Sequence, residues 1–286
     1  MSSTAIKTTT GQAGAHAQKK IAVLGCGKMG SILLQAFLEQ GLVSASEAIA
    51  TVQHEEKCQA LTGELNGIAA GTDNRAAVSK APVVLLCVKP QVLPQVLEEI
   101  APAVDPAALV ISIAASTTVG FIQQRLGKHV AVVRAMPNTP ATVNAAMTAL
   151  CAGPATTHEH LDTAKKLFES VGRVLIVDEK HMDAITALSA SGPAFAFVIL
   201  ESLAEAGVKV GLPRDMATTL VAQTLYGSAL LALKTGRHPA LLKDAVTTPA
   251  GCTIDGLMEL EKGGLRVTLM SAVVETTRRA RELMGS

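Results

Sequence analysis

Short, unbroken apolar runs alternate with helical stretches through the first two-thirds of the chain. The runs are KIAVLG (20–25), AIAT (48–51), PVVLLCV (82–88), ALVISIA (108–114), VAVVRAM (130–136), AMTALC (146–151) and RVLIVD (173–178). The early runs do not alternate apolar with polar, so both faces of each strand should be covered, as in a parallel sheet packed between helices. Helical patterns fall between them over 28–40, ending at Gly41, and over 55–65, 91–100, 117–126 and 157–171. This order predicts an α/β fold whose first part is a doubly wound, Rossmann-like sheet. Beyond about residue 179 the strand pattern stops. Helices are expected over 180–190, 193–209, 213–235, 238–245, and 253–260 leading into 264–284. The chain therefore divides into a leader (1–18), a sheet domain (19–179) and an all-helical domain (180–286).

The helix that opens at Pro193 has only Glu201, Ser202 and Glu205 as polar residues through Ala206. A helix apolar nearly all round needs cover on several sides. A small helical domain supplies that most simply by packing on a second copy, so a homodimer or a higher oligomer of dimers is expected. Long uncharged stretches such as MATTLVAQTLYGSALLAL, from 216, are each interrupted by Thr, Gln, Ser or Gly and read as buried helices rather than membrane spans.

Composition narrows the function. Lys and Arg total 25 against 24 Asp and Glu, Trp is absent and there is one Tyr, so neither a basic nucleic-acid surface nor a base-stacking platform is expected. The cysteines at 26, 58, 87, 151 and 252 are odd in number and contain no CxxC, which argues against a disulfide framework or a metal site and for the reducing cytosol. Residues 1–18 have no apolar core of the signal-peptide kind and are expected to be an unstructured leader.

Two segments carry candidate chemistry. VLGCGKMG places Gly25, Gly27 and Gly30 in GxGxxG spacing, directly after the first strand and at the mouth of a helix. In that setting the first glycine makes the tight turn, the second admits a pyrophosphate to the backbone and the third lets helix and strand approach. A dinucleotide site is expected there. The second strand ends Thr51-Val52-Gln53, with no carboxylate for a ribose and no Arg for a 2′-phosphate, so the choice between NADP(H) and NAD(H) tilts to NADP(H) only slightly. The second segment, VTTPAGCTIDGL (246–257), is a loop of small residues ending at a helix start. Unpaired N–H groups make such a place an anion site, and small side chains let a ligand reach the backbone. The same residues also suit a plain connector with Thr253 as a helix cap.

Taken together, GCGKMG, TDNRAAV, VVLLCVKPQ, VRAMPNTPA, ALSASGPAFAF and VTTPAGCTIDGL resemble, in order and spacing, the pyrroline-5-carboxylate reductase family, over roughly residues 20–284. The resemblance implies reduction of the C=N bond of Δ1-pyrroline-5-carboxylate to L-proline by NAD(P)H, with the substrate held between the nicotinamide and a helical-domain loop of a second subunit. It assigns the ring-nitrogen contact to Thr253, and the substrate carboxylate to Thr248 and the N–H groups of Gly251, Cys252 and Thr253. Glu179 matches an acid near the substrate. On the cofactor side it points to Leu24, Gly25, Cys26, Gly27, Lys28, Met29 and Gly30, to Val52 and Gln53, to Asn74 near the adenine ribose, to Cys87, Val88, Lys89 and Pro90, and to Ile113, Ala114 and Ala115 beside the nicotinamide.

The chain departs from the family's usual residues at four places. Ala250 stands where Gly is common, Phe195 where Tyr is common, Ala245 where some members have Asn, and Gln53 where Arg is often found. An imine nitrogen takes its proton readily, so a hydroxyl donor such as Thr253 suffices and no catalytic His or Lys is required; His129, His181 and His238 are isolated. Another imine or β-hydroxyacid oxidoreductase of the same two-domain plan is the alternative, but the latter needs a lysine on a second-domain helix, and none lies within 181–208. A non-catalytic dinucleotide sensor would keep the glycines without needing the 246–257 loop.

Overall fold

The structure is a computed structural model and describes residues 20–285. The expected leader over 1–18 lies outside the described residues. Among those described, the chain first forms an eight-stranded sheet from β1 (Ile21–Leu24), β2 (Ala48–Thr51), β3 (Ala69–Gly71), β4 (Val83–Leu86), β5 (Leu109–Ser112), β6 (Ala131–Met136), β7 (Ala146–Ala152) and β8 (Gly172–Ile176). The strand order is β3-β2-β1-β4-β5-β6-β7-β8. Every pairing is parallel except β6 with β7. The helices among these strands are α1 (Lys28–Glu39), α2 (Glu56–Glu64), α3 (Asn74–Val78), α4 (Leu93–Ile100), α5 (Val119–Leu126) and α6 (His158–Glu169).

The two faces of the sheet are covered separately, as unbroken apolar strands require. On one face Val23, Leu85, Ile111 and Val133 pack under α1 and α6, where Phe37 and Phe168 meet edge to face at 6.5 Å. On the other, Ala22, Leu86, Val110 and Val132 pack beneath Leu97 of α4, Ile122 of α5 and Met182.

After β8 the chain is helical: α7 (Met182–Ile185), α8 (Gly192–Lys209), α9 (Arg214–Thr235), α10 (Pro239–Ala245), α11 (Cys252–Lys262) and α12 (Leu265–Gly285). The stretch read from sequence as one helix over 180–190 is three pieces: a 3₁₀ turn (Glu179–His181), α7, and a widened π turn (Thr186–Ala190) in which Ser191 N–H reaches back five residues to Thr186. Pro193 follows and has no N–H, so Ser189 C=O lacks its helical donor. Asn138 Nδ2 donates to that carbonyl at 3.2 Å, while Asn138 Oδ1 accepts from Met147 N–H. One amide thus ties the helical half to the sheet.

α8 and α9 form an antiparallel pair, in close approach where Gly207 faces Ala217. Each is long and apolar enough to cross a membrane by length and composition, α8 as part of the continuous stretch Glu179–Lys209, yet only 11% and 6% of their most apolar windows are buried. The sequence predicts buried helices here, too interrupted by Thr, Gln, Ser and Gly for a span. Thr218, Thr219 and Thr224 satisfy their hydroxyls on carbonyls four residues back, which lowers their polarity. Phe197, Val198, Leu203, Leu220, Tyr226 and Leu233 remain exposed on the single chain.

Candidate active site

The strand order reverses between β1, which continues to β2 and β3, and β4, which continues to β5. In such sheets the ligand crevice lies outside the carboxyl ends of the strands at that reversal. The turn after β1 is built for it. Gly25 has φ +72°, and a Cβ there would stand 2.4 Å from Val88 Cγ1, so the turn closes only with glycine. Gly27 is the N-cap of α1 with no side-chain cap, and a Cβ on it would find nothing nearer than Gly25 O at 3.9 Å. Its open side and the first-turn N–H groups of α1 lie at the crevice, an arrangement suited to an anion such as a pyrophosphate. Gly30 brings α1 close to Cys87 and Val23.

The other residues expected around a dinucleotide gather at the same edge. Leu24 ends β1 and is buried, as is Cys26; Met29 and Val52 pack on the core beneath α1. Lys28 and Gln53 are exposed. Cys87, Val88, Lys89 and Pro90 leave β4 and start the approach to α4, with Lys89 C=O taking the N–H groups of Val92 and Leu93. Burial pushes the Cys26 thiol up to about 11 against the opposing hydrogen bond to Ser31, and drives Cys87 well above the ordinary thiol range. Both are packing residues rather than nucleophiles.

A polar chain braces the glycine turn. Gly25 N–H donates to Thr51 Oγ1 at 3.3 Å, Thr51 donates to Asn74 Oδ1 at 2.7 Å, and Asn74 Nδ2 donates to Glu99 at 3.0 Å. Thr51 is almost fully buried. Sequence reasoning noted Thr51 only for what it lacks, and missed Glu99. No carboxylate or Arg from the β2–α2 connection has a partner that aims it at a ribose; Glu55 accepts from Thr72 instead.

Ile113, Ala114 and Ala115 follow β5, and Ala114 N–H bonds to the buried Ser112 hydroxyl at 3.3 Å. The chain continues through Ser116, at φ +56°, to Thr118, which caps α5 by accepting from Phe121 N–H. Ser116 donates to Ala280 C=O of α12. Glu179 is also here: its Oε1 accepts from Val119 N–H at 2.7 Å and stands 3.5 Å from Arg134 Nη1. Arg134 is 1% exposed, and its Nε and Nη2 have no hydrogen-bond partner among the described residues. Sequence reasoning missed Arg134; the signal was a lone charge within VAVVRAM. Beside this pair a cleft of about 580 Å³ opens between Cys151, Ile176, Asp178, Glu179 and His181.

Thr248, Gly251, Cys252 and Thr253 lie on the connection from α10 to α11 and into the first turn of α11. Gly251 is the N-cap, without a side-chain cap, so Cys252 and Thr253 are the first two residues of the helix proper. That position removes the capping explanation for Thr253. Gly251 approaches Thr248 so closely that a Cβ would sit 2.5 Å from Thr248 Oγ1. Thr248 and Cys252 are exposed and Thr253 half-buried. The first-turn N–H groups of α11 and the Thr248 hydroxyl share one small, open corner suited to a carboxylate. Ala250 takes φ +57°, a left-handed conformation that glycine adopts more readily.

A doubly wound sheet with a glycine turn at its reversal point, followed by a helical half carrying a second anion corner, defines a nicotinamide-dinucleotide oxidoreductase of two-part plan. Residues 179–283 match the family model for pyrroline-5-carboxylate reductase dimerisation, and residues 20–116 match one for coenzyme F420-dependent NADP oxidoreductases. The chain is 42% identical over 265 residues to a pyrroline-5-carboxylate reductase of Methanosarcina acetivorans, covering 93% of this chain and 98% of the relative. It is 34% identical to that of Escherichia coli, covering 94% and 100%. Among solved structures, a pyrroline-5-carboxylate reductase from Coxiella burnetii superposes with a TM-score of 0.85 at 34% identity, covering 93% and 99%. The Plasmodium falciparum enzyme, solved with NADP bound, gives 0.84 at 28%, covering 95% and 100%. The chain belongs to the pyrroline-5-carboxylate reductase family.

Proposed function

We propose that the protein reduces Δ1-pyrroline-5-carboxylate to L-proline, the last step of proline synthesis, using NADPH, with NADH as a usable alternative. The observation that carries this reading is the uncapped first turn of α11 behind Thr248 and Gly251, in a chain similar over nearly its whole length to reductases of that imine. Residues 19–179 form the dinucleotide half and 180–286 the substrate and dimerisation half.

When bound, the reduced nicotinamide supplies the hydride that reaches the imine carbon. The chain's own residues position and shield. The N–H groups at the start of α1 hold the pyrophosphate, which the bare Cα of Gly27 lets approach while its N–H closes the turn on Gly25 C=O, with Leu24, Cys26, Lys28 and Met29 shaping the turn and Val52, Gln53 and Asn74 the adenosine end. Cys87 to Pro90 and Ile113 to Ala115 bound the nicotinamide end. Thr248 and the N–H groups of Cys252 and Thr253 hold the substrate carboxylate, while the Gly251 N–H, which the resemblance also assigns to it, donates to Thr248 C=O at 3.1 Å and shapes the loop instead. The Thr253 hydroxyl donates to the ring nitrogen, which gains its proton from solvent. Fixing two ligands in reacting geometry supplies up to about 7–11 kcal/mol of barrier reduction, so no strong acid is needed.

The exposed apolar surface of α8 and α9 is read as the face that a second copy covers, giving a homodimer or an assembly of dimers, and the substrate corner of one subunit then serves the dinucleotide half of the other. Five free thiols fit the cytosol. The direct test is oxidation of NADPH and NADH in the presence of the cyclic imine, with proline identified as product. Absence of turnover with both nucleotides would sink this assignment.

A further inference from the structure

We propose that Glu99, on α4, is a positioning residue for dinucleotide binding: through Asn74 and Thr51 it fixes the direction of the hydrogen bonds that set the glycine turn. The inference rests on the reading above that this turn receives the pyrophosphate.

Three observations carry it. The first is where the bonds run. Asn74 Nδ2 donates to Glu99 Oε2 at 3.0 Å, Thr51 Oγ1 donates to Asn74 Oδ1 at 2.7 Å, and Gly25 N–H donates to Thr51 Oγ1 at 3.3 Å. A side-chain amide offers hydrogens at one end and lone pairs at the other, and the two ends are nearly the same shape. Packing alone therefore leaves Asn74 free to turn over. A carboxylate only accepts, so Glu99 draws the NH2 end to itself and leaves the oxygen for Thr51. Thr51 has a single hydroxyl hydrogen. It is spent on that oxygen, so the lone pairs are left for Gly25.

The second is burial. Thr51 is 2% exposed, so water is no substitute for a lost partner. Were the amide reversed, Thr51 would face two donors, Asn74 Nδ2 and Gly25 N–H, and its own hydrogen would lose the acceptor it has now. A buried polar group left in that state is costly. The longest of the three bonds, the one to Gly25, is the one to give.

The third is what that bond holds. Thr51 grips the turn twice, by its hydroxyl at Gly25 N–H and by its C=O at Cys26 N–H, 2.7 Å away. Gly25 is the residue at φ +72°, and its C=O takes Gly27 N–H just ahead of α1. Release of the hydroxyl frees the left-handed residue to shift, and with it the N–H groups at the start of α1. Glu99 is anchored independently of its carboxylate, because its C=O accepts from Arg75 Nε at 2.7 Å. A substitution at 99 thus removes the orienting group and leaves this tie between α3 and α4 in place.

The test is the NADPH dissociation constant of the full-length protein, read by nucleotide fluorescence, with the melting temperature of each variant. Glu99→Ala should weaken NADPH about five- to tenfold. Glu99→Gln loses the charge but can turn its oxygen to Asn74, so it should stay within about twofold of the parent. A direct effect of the Glu99 charge on the phosphates would move both variants alike, and equal shifts in Ala and Gln would overturn the proposal. Thr51→Val keeps the shape and removes the hydroxyl. It should weaken NADPH at least as much as Glu99→Ala, and adding Glu99→Ala to it should change nothing further. Additive losses in the double variant would mean that Glu99 acts by another route and would overturn the proposal too. So would a lower melting temperature in Glu99→Ala with NADPH affinity unaltered, which would make the chain of bonds purely structural. Should Thr51→Val fail to fold, the Ala and Gln pair decides alone. A parent protein that binds no NADPH fails both this inference and the dinucleotide reading, whereas normal parent binding with indifferent Glu99 variants removes this inference alone.

Discussion

The glycine turn allows fold and ligand binding to be separated by two single methyl groups. Adding a methyl at residue 25 costs twice. At φ +72° an L side chain carries about 1–2 kcal/mol of backbone strain. The new Cβ also stands 2.4 Å from Val88 Cγ1 and 3.0 Å from Val88 Cα, so β1 and the segment after β4 must part, which costs about 1–3 kcal/mol. Reduced freedom of the unfolded chain returns about 0.4–1 kcal/mol. Gly25→Ala should therefore lose about 1–5 kcal/mol of stability and melt several degrees lower. Gly27→Ala is the opposite case. Its φ of −89° suits any residue and the methyl meets open space, so the fold should be unchanged or slightly steadier. In the proposed cofactor placement the pyrophosphate packs in that open space, so a methyl intruding on the filled site should cost about 1–3 kcal/mol, or roughly tenfold to a hundredfold in NADPH affinity. Thermal melting and fluorescence titration on the same two variants read both quantities. Gly27→Ala with parental NADPH affinity would refute the phosphate cradle; Gly25→Ala with parental melting would refute the argument that glycine is needed for the turn.

Thr253 should behave as a donor and not as a cap, since Gly251 holds the capping position. Thr253→Ala should lose about 1–3 kcal/mol of hydrogen bonding and so tenfold to a hundredfold in kcat, with Thr253→Ser retaining much of the rate and both melting like the parent; full turnover in the Ala variant would remove Thr253 from the chemistry. Because neither an acid nor an Arg is aimed at the 2′ position, kcat/KM for NADPH should exceed that for NADH by less than about a hundredfold, or 2.7 kcal/mol; a larger ratio either way would show a determinant outside 51–57. Sedimentation at micromolar concentration should find no monomer, and an active, well-folded monomer would refute the covered α8–α9 face. Ala250→Gly should relieve a left-handed alanine at φ +57° and raise stability by up to about 1 kcal/mol after the entropy of glycine is counted, so a lower melting temperature would refute the strain argument.

The unbroken apolar strands and the glycine turn were legible because burial on both faces and a sharp reversal each demand particular residue types. β3, Ala69–Gly71, was not: three small residues between Gly67 and Thr72 look like a turn, and they pair only because β2 offers them an edge. The division of 180–190 into three kinds of helical turn was hidden too; the bond that holds its last piece, from Asn138 to the Ser189 carbonyl that Pro193 leaves free, comes from 51 residues away. Within the site, the residue types of the α11 corner signalled an anion. Position within the helix excludes the cap role at Thr253, and the sequence shows a helix start only to within a residue or two. Arg134 and Thr51 illustrate the remaining gap. Their roles come from partners across the sheet, at separations of 45 residues to Glu179 and 23 to Asn74, which no local pattern reports.

The order in which this chain is made gives the bare surface of α8 and α9 a further meaning. The last strand ends at Ile176, and the cover of both sheet faces reaches Met182, before any of that surface has been synthesised. The first part can therefore fold while the rest is still emerging. The helices appear last, with Phe197, Leu220 and Tyr226 in water until another finished chain arrives. The last step of maturation is then second order. Its rate follows how quickly new chains accumulate, and slow synthesis lengthens the interval in which sticky helices wait alone, exposed to chaperones, proteases and one another.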